Sequence, residues 1–71
     1  MTTGLMYFDN TKNRPIADKI AGAADAFKLK HGVAPNEAHV TPGLFVPHIP
    51  DVRIVYDAWV RPDYVWIGRG E

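Results

Sequence analysis

The sequence predicts a small α+β domain in which one amphipathic helix packs on a mainly antiparallel sheet that includes a C-terminal β-hairpin. Three observations predict this fold. The chain has 71 residues, which suffice for one domain spanning residues 1–71. One segment has the apolar spacing of an amphipathic helix. The last third is rich in β-branched and aromatic residues, which favour strands.

The first predicted elements are a short strand over residues 5–8 and, after a turn-forming cluster, the helix. Asn13 is a favourable N-cap residue and Pro15 suits the first helical turn, so we expect the helix over about residues 14–31. Gly32 is expected to end the helix in the left-handed conformation. The apolar face of the helix consists of Ile16, Ile20, Ala23 and Phe27.

The middle of the chain predicts a second short strand and then an irregular apolar segment. Residues 37–41 favour a strand, which Pro42 and Gly43 are expected to end. Prolines at positions 42, 47 and 50 exclude both a helix and a central strand from the segment that follows. Because this segment is nevertheless apolar, we expect it either to pack under other elements or to be displayed to a partner.

The C-terminal third predicts the hairpin. Residues 52–60 and 64–67 are its two strands, and Pro62 with Asp63 favours a tight turn between them. With that turn, one face of the hairpin carries Val52, Ile54, Tyr56, Ala58, Val60, Val65 and Ile67. The other face carries Arg53, Val55, Asp57, Trp59, Arg61, Tyr64 and Trp66. A loop one residue longer would change this register.

We expect the core to combine one helix face with inward-facing strand residues. The chain has no cysteine, so neither a disulfide nor a cysteine–metal site reinforces it. A lone domain of this size is expected to be marginally stable, which favours association with a second chain. The predicted core residues are Leu5, Tyr7, Ile16, Ile20, Phe27, Val40, Ile54 and Ile67.

Composition excludes several classes of protein. A hydrophobic fraction of 46% is too high for a disordered chain, and a net charge of zero removes the overall electrostatic attraction to nucleic acid. No apolar run is long enough to span a membrane, and the first residues do not resemble a secretory leader. Together with the absence of cysteine, these features predict a cytoplasmic location and no membrane partner.

The sequence contains no pattern typical of catalysis or cofactor binding. Motifs for phosphate loops, dinucleotide sites, zinc proteases and nucleophile elbows are absent, and the carboxylates are dispersed. The spacing of the three histidines, His31, His39 and His48, matches no metal motif. We therefore expect a non-enzymatic protein with no catalytic residue, no cofactor and no bound metal.

The most informative feature is a cluster of aromatic and arginine residues in the C-terminal third. Such residues anchor protein interfaces, stack on nucleobases, or close a small core with arginines along the rings. We predict a protein-binding or assembly module whose partner is itself or another subunit, a homodimer being the simplest arrangement. Binding of single-stranded nucleic acid is the alternative. The predicted partner-binding residues are Phe45, His48, Arg53, Trp59, Arg61, Tyr64 and Trp66.

Two segments show a general likeness to segments of phage and mobile-element proteins. They are residues 32–42, which follow the helix, and residues 65–68 near the end of the chain. The likeness implies a phage or mobile-element setting for the module. It identifies no family and assigns no role to any residue.

Overall fold

The computed structural model describes residues 3–70 and contains one helix packed on a four-stranded sheet. The strands are β1 (Thr3–Phe8), β2 (Glu37–Val40), β3 (Arg53–Tyr56) and β4 (Tyr64–Arg69), and the helix is α1 (Ile16–His31). The strand order is β1-β4-β2-β3. Strand β4 is antiparallel to both of its neighbours, whereas β2 and β3 are parallel. The predicted α+β class with a mainly antiparallel sheet is confirmed.

The predicted C-terminal hairpin is wrong, because β3 and β4 are not neighbours. Strand β2 lies between them and pairs with both. Strand β3 also ends at Tyr56 rather than at residue 60. A turn begins at Asp57, whose carbonyl accepts a hydrogen bond from the Val60 N–H at 3.0 Å. The chain therefore leaves the sheet before the position at which a hairpin would have turned.

The tight turn at Pro62 and Asp63 does form, but it belongs to a longer connection. The Tyr64 N–H donates to the Arg61 carbonyl at 3.1 Å, and Asp63 has a φ of 71°. A positive φ at the second central position, after proline at the first, is typical of a type II turn. Two successive turns thus carry the chain from β3, past β2, to β4.

The predicted alternation of faces is correct within the strands, because it does not depend on which strands pair. Ile54, Val65 and Ile67 face the helix, whereas Tyr64 and Trp66 face the opposite side. Alternation does not apply to the predicted hairpin residues that lie in the turns after β3. These are Asp57, Ala58, Trp59, Val60 and Arg61.

The core lies between α1 and the sheet. Its buried members are Ile20, Ala23, Phe27, Ala38, Val40, Val65 and Ile67. Four predicted core residues are in this buried set: Ile20, Phe27, Val40 and Ile67. The other four pack against it while remaining partly exposed: Leu5, Tyr7, Ile16 and Ile54. The sequence thus predicted the correct helix and strand faces.

The proline-containing connection from β2 to β3 packs on the sheet next to the helix. A parallel pair needs a crossover connection, which is most often a helix, but the prolines exclude one here. Val46, Ile49 and Val52 pack against the core, so the connection lies on the same side of the sheet as α1. Leu44 and Phe45 of the same connection are 41% and 87% exposed. Different residues of one segment are therefore packed and displayed.

The helix begins later than predicted. Asn13 has a φ of 63° and is not the N-cap, which is Pro15, and no side chain caps the helix. The preceding segment is held by Asp9, whose carboxylate accepts hydrogen bonds from the Thr11 N–H at 2.9 Å and from Arg14 at 2.8 Å. Asp9 thus holds the turn that contains Asn13, the residue predicted as the N-cap.

The helix ends as predicted. Gly32 has a φ of 76°, and its N–H donates to the Lys28 carbonyl at 2.8 Å. This is the left-handed helix end that glycine adopts without steric cost. Within residues 3–70, no helix is both long enough and apolar enough to cross a membrane.

Candidate functional site

The side of the sheet opposite α1, which we call the open face, carries the aromatic cluster. Cross-strand pairs place its side chains together, and α1 and the β2–β3 connection lie on the other side of the sheet. The connection from β3 to β4 reaches the open face, where the buried Val60 lines a hollow with His39 and Trp66. Trp59 and Arg61 lie in the turns at its margin. The outward-facing strand residues at its centre are Met6, Phe8, His39, Val55, Tyr64 and Trp66.

Large apolar side chains on the open face are accessible to solvent. Trp59 is 92% exposed, Phe8 is 53% exposed and Met6 is 50% exposed. The rings of Phe8 and Tyr64 lie 5.0 Å apart between centroids, a separation typical of tilted aromatic pairs. Met6 and Trp59 line two adjacent open hollows of about 300 and 290 Å³. The face therefore combines an exposed aromatic surface with shallow depressions that another surface can fill.

Trp66 lies against the sheet because two glycines make room for its indole. Gly4 and Gly68 are opposite each other on β1 and β4. A Cβ added at Gly4 would lie 2.1 Å from Trp66 Cζ2, and one added at Gly68 would lie 2.3 Å from Trp66 Cη2. The other neighbour of the indole is the imidazole of His39, at 4.6 Å between ring centroids. Trp66 is thus half-buried against the two glycines and His39, beside the residues that connect β3 to β4.

A hydrogen-bonded network of charged side chains lies on the open face beside Trp66. Nδ1 of His39 lies 3.1 Å from Oδ2 of Asp57, and its Nε2 lies 3.0 Å from Oε2 of Glu37. Arg53 donates to the other oxygen of Glu37. A neutral imidazole has one N–H, so His39 donates to both carboxylates at once only with an N–H on each ring nitrogen.

Hydrogen bonds in this side-chain network stabilise the carboxylates of Glu37 and Asp57 as anions. The hydrogen bond from Arg53, and then that from His39, lowers the pKa of Glu37. The backbone N–H of Trp59, at 2.9 Å from Oδ1, lowers the pKa of Asp57, and His39 adds to the effect. Glu37 and Asp57 are therefore held as anions beside the aromatic residues, and Glu37 is paired with the cation Arg53.

Acid is expected to destabilise the domain through these carboxylates. Folding lowers the pKa of Glu37 below its ordinary 4.5 and that of Asp57 below its ordinary 3.8, and Asp9 follows the same direction. Their contribution is therefore present above those ordinary values and is lost as the pH falls through the lower folded values. Urea titrations should show the free energy of unfolding decreasing as the pH falls below 4.5.

Matched variants separate this effect from general acid unfolding. Glu37→Gln should make the decrease with acid shallower, because the substituted side chain no longer binds or releases a proton. Asp25→Asn, at an exposed position of α1, is the control and should leave the decrease nearly unchanged. Equal slopes for the two variants would contradict a role for the open-face carboxylates.

The structure brings together most, but not all, of the predicted partner-binding residues. Phe45 and His48 are exposed, but they lie on the β2–β3 connection and line neither hollow of the open face. Neither tryptophan belongs to the buried core. The alternative in which both tryptophans complete the core is therefore wrong. Those that lie on or beside the open face are Arg53, Trp59, Arg61, Tyr64 and Trp66.

Sequence reasoning missed several residues of the open face. Met6 and Phe8 were assigned only to an apolar strand, although alternation with the core residues Leu5 and Tyr7 already indicates the opposite face. His39 was treated as one of three dispersed histidines. Across residues 3–70, no group of three or more histidine, aspartate and glutamate side chains is placed to hold a metal ion.

Comparisons with models of known protein families, with curated proteins and with solved structures find no match to this chain. No residue therefore takes a role from a relative. The exposed aromatic residues of the open face, and the charged side chains beside them, are the basis for a functional proposal.

Proposed function

We propose that this chain is a small non-enzymatic interaction module whose open face binds protein, either a second copy of itself or another subunit. The observation that carries the proposal is the uncovered aromatic surface, on which Trp59 is 92% exposed beside half-exposed Met6 and Phe8. Tryptophan and tyrosine are enriched among the residues that dominate binding energy at protein interfaces. Contiguous exposed apolar patches mark interaction sites on soluble domains.

The charges on the open face favour protein over nucleic acid as the partner. Glu37 and Asp57 are held as anions, and Arg53 is already paired with Glu37. Nucleic-acid sites instead need basic side chains that neutralise phosphates along a groove. Arg61 shares a hollow with Trp59, which keeps single-stranded nucleic acid as the second candidate through stacking.

Trp59→Ala is expected to weaken association without unfolding the domain. The indole is 92% exposed, and the turn is held by the Trp59 backbone N–H rather than by the ring. If the partner is a second copy, sedimentation across micromolar concentrations should show a dimer whose dissociation constant rises about tenfold or more in the variant. Tyr56→Ala is the matched control, because Tyr56 is 49% exposed on β3 but pairs with Val40 on the helix side.

Other outcomes would redirect the proposal. A protein that stays monomeric at high micromolar concentration, with tryptophan emission independent of concentration, would refute self-association and leave another subunit as the partner. Quenching of tryptophan emission by single-stranded DNA at low salt, reversed by added salt, would favour the nucleic-acid candidate. Tyr56→Ala weakening the dimer as much as Trp59→Ala would contradict the open face as the contact.

A further inference from the structure

We propose that β1 pairs edge to edge with β1 of a second copy, so that two four-stranded sheets join into one. The inference rests on the proposed function in taking a second copy as the partner, but it uses the strand edge rather than the open face. Strand β1 lies at one end of the sheet order and pairs with β4 on one side. Among the residues described, no segment pairs with its other side.

Strand β1 lacks the features by which edge strands avoid pairing. It has six residues, none of them charged and none of them proline. The opposite edge strand, β3, has four residues, begins at the exposed Arg53, and is flanked by Asp51 and Asp57. Short length, charge and proline are the usual protections of an exposed edge. The contrast selects β1 as the edge that accepts another strand.

The sequence of β1 can pair with itself in an antiparallel register centred on Met6. Opposite residues in such a pair project to the same face, so a two-fold axis at Met6 sets Phe8 of the second copy opposite Gly4. The Trp66 indole lies over Gly4, and Phe8 of the second copy then packs beside it. A two-fold axis at Leu5 would instead move Phe8 away from Gly4 and from the Trp66 indole that lies over it.

Helix α1 leaves the β1 edge accessible. It packs chiefly over β4 and touches β1 less. A two-fold axis perpendicular to the sheet places both helices on one side and both open faces on the other. Met6 and Phe8, each about half exposed, then lie at the centre of the joined surface. Edge pairing therefore doubles the open face instead of covering it.

Cysteine crosslinking tests the register directly. The chain has no cysteine, so Met6→Cys supplies one thiol, and the two-fold axis sets it opposite its copy. Opposite residues of an antiparallel pair lie about 4.5–5.5 Å apart between Cα atoms, within the range that a disulfide spans. Under mild oxidation, most of Met6→Cys should become a disulfide dimer. Val55→Cys, on the same face but on β3, should remain mostly uncrosslinked.

A charge at the same position gives a second readout. Met6→Lys sets two like charges opposite each other across the joined edge, so the dissociation constant of the dimer should rise about tenfold or more. Leu29→Lys is the matched control, because Leu29 is 90% exposed on α1 and should tolerate lysine without effect on association. Circular dichroism of each variant confirms that a loss of association is not a loss of folding.

The outcomes distinguish the edge from the face. A dimer that gives no Met6→Cys crosslink and dissociates on Trp59→Ala would overturn edge pairing and leave the proposed function intact. A Met6→Cys crosslink in a protein whose association ignores Trp59→Ala would support edge pairing and count against self-association through the open face. A protein that is monomeric at high micromolar concentration and yields no crosslink also overturns edge pairing.

Discussion

Replacing Phe27 with alanine is expected to lower the free energy of unfolding by about 3–5 kcal/mol. Phe27 is 0% exposed and is the largest of the fully buried side chains. Its removal leaves a cavity between α1 and the sheet, in contact with Ile20 and the inward-facing strand residues. A domain of this size without disulfides has a stability of about 5 kcal/mol or less. The variant should therefore be substantially unfolded at room temperature.

Urea titration followed by circular dichroism measures this loss, with Leu29→Ala as the matched control. Leu29 lies two residues further along the same helix and is 90% exposed, so its truncation should change the free energy of unfolding by about 0.5 kcal/mol or less. A Phe27→Ala variant as stable as Leu29→Ala would show that α1 does not pack on the sheet through this face.

The second large effect is expected for Gly68→Ala. The added Cβ would lie 2.3 Å from Cη2 of Trp66 and 2.6 Å from the carbonyl oxygen of Thr3. The indole belongs to a half-buried side chain and can move aside by rotating. The Thr3 carbonyl belongs to β1, whose pairing with β4 must be disturbed before that oxygen can move. We expect a loss of about 3 kcal/mol in the free energy of unfolding.

Gly4→Ala separates the two causes of this loss. The nearest atoms to a Cβ at Gly4 all belong to Trp66, the closest at 2.1 Å. In a Trp66→Ala background, Gly4→Ala should therefore cost little, whereas Gly68→Ala should still be destabilising because of Thr3. A double-mutant cycle in urea isolates the two interaction energies. Full rescue of Gly68→Ala by Trp66→Ala would show that the strand backbone has room to yield.

Local pattern was sufficient to predict the elements of the fold but not the order of the strands. The apolar spacing around Ile20 and the left-handed glycine at Gly32 depend on a few neighbouring residues, and both were correct. The proline turn at Pro62 also formed. Nothing near that turn specifies that β2 enters between β3 and β4. In that arrangement Ala38 pairs with Ile54 on one side and with Ile67 on the other, residues distant in the sequence.

The same long-range step separates the predicted part of the open face from the missed part. Trp59 and Tyr64 can be singled out from the sequence, because they are aromatic residues close to Arg61. The contact of His39 with Asp57 joins residues 18 positions apart. It exists because β2 is the neighbour of β3. Predicting this network of charged side chains therefore requires knowing that β2 pairs with β3.

The position of β4 in the sheet has a consequence for biosynthesis. Both β1 and β2 pair with β4, and the register joins Thr3 to Arg69. The ribosome must therefore have synthesised β4 before β1 and β2 can pair with it. Until then, the apolar strand β1 and the helix cannot pack into the complete sheet. Non-local pairing of this kind slows folding and lengthens the exposure of apolar segments. The sheet is accordingly expected to assemble only after β4 has been synthesised, in a single late step.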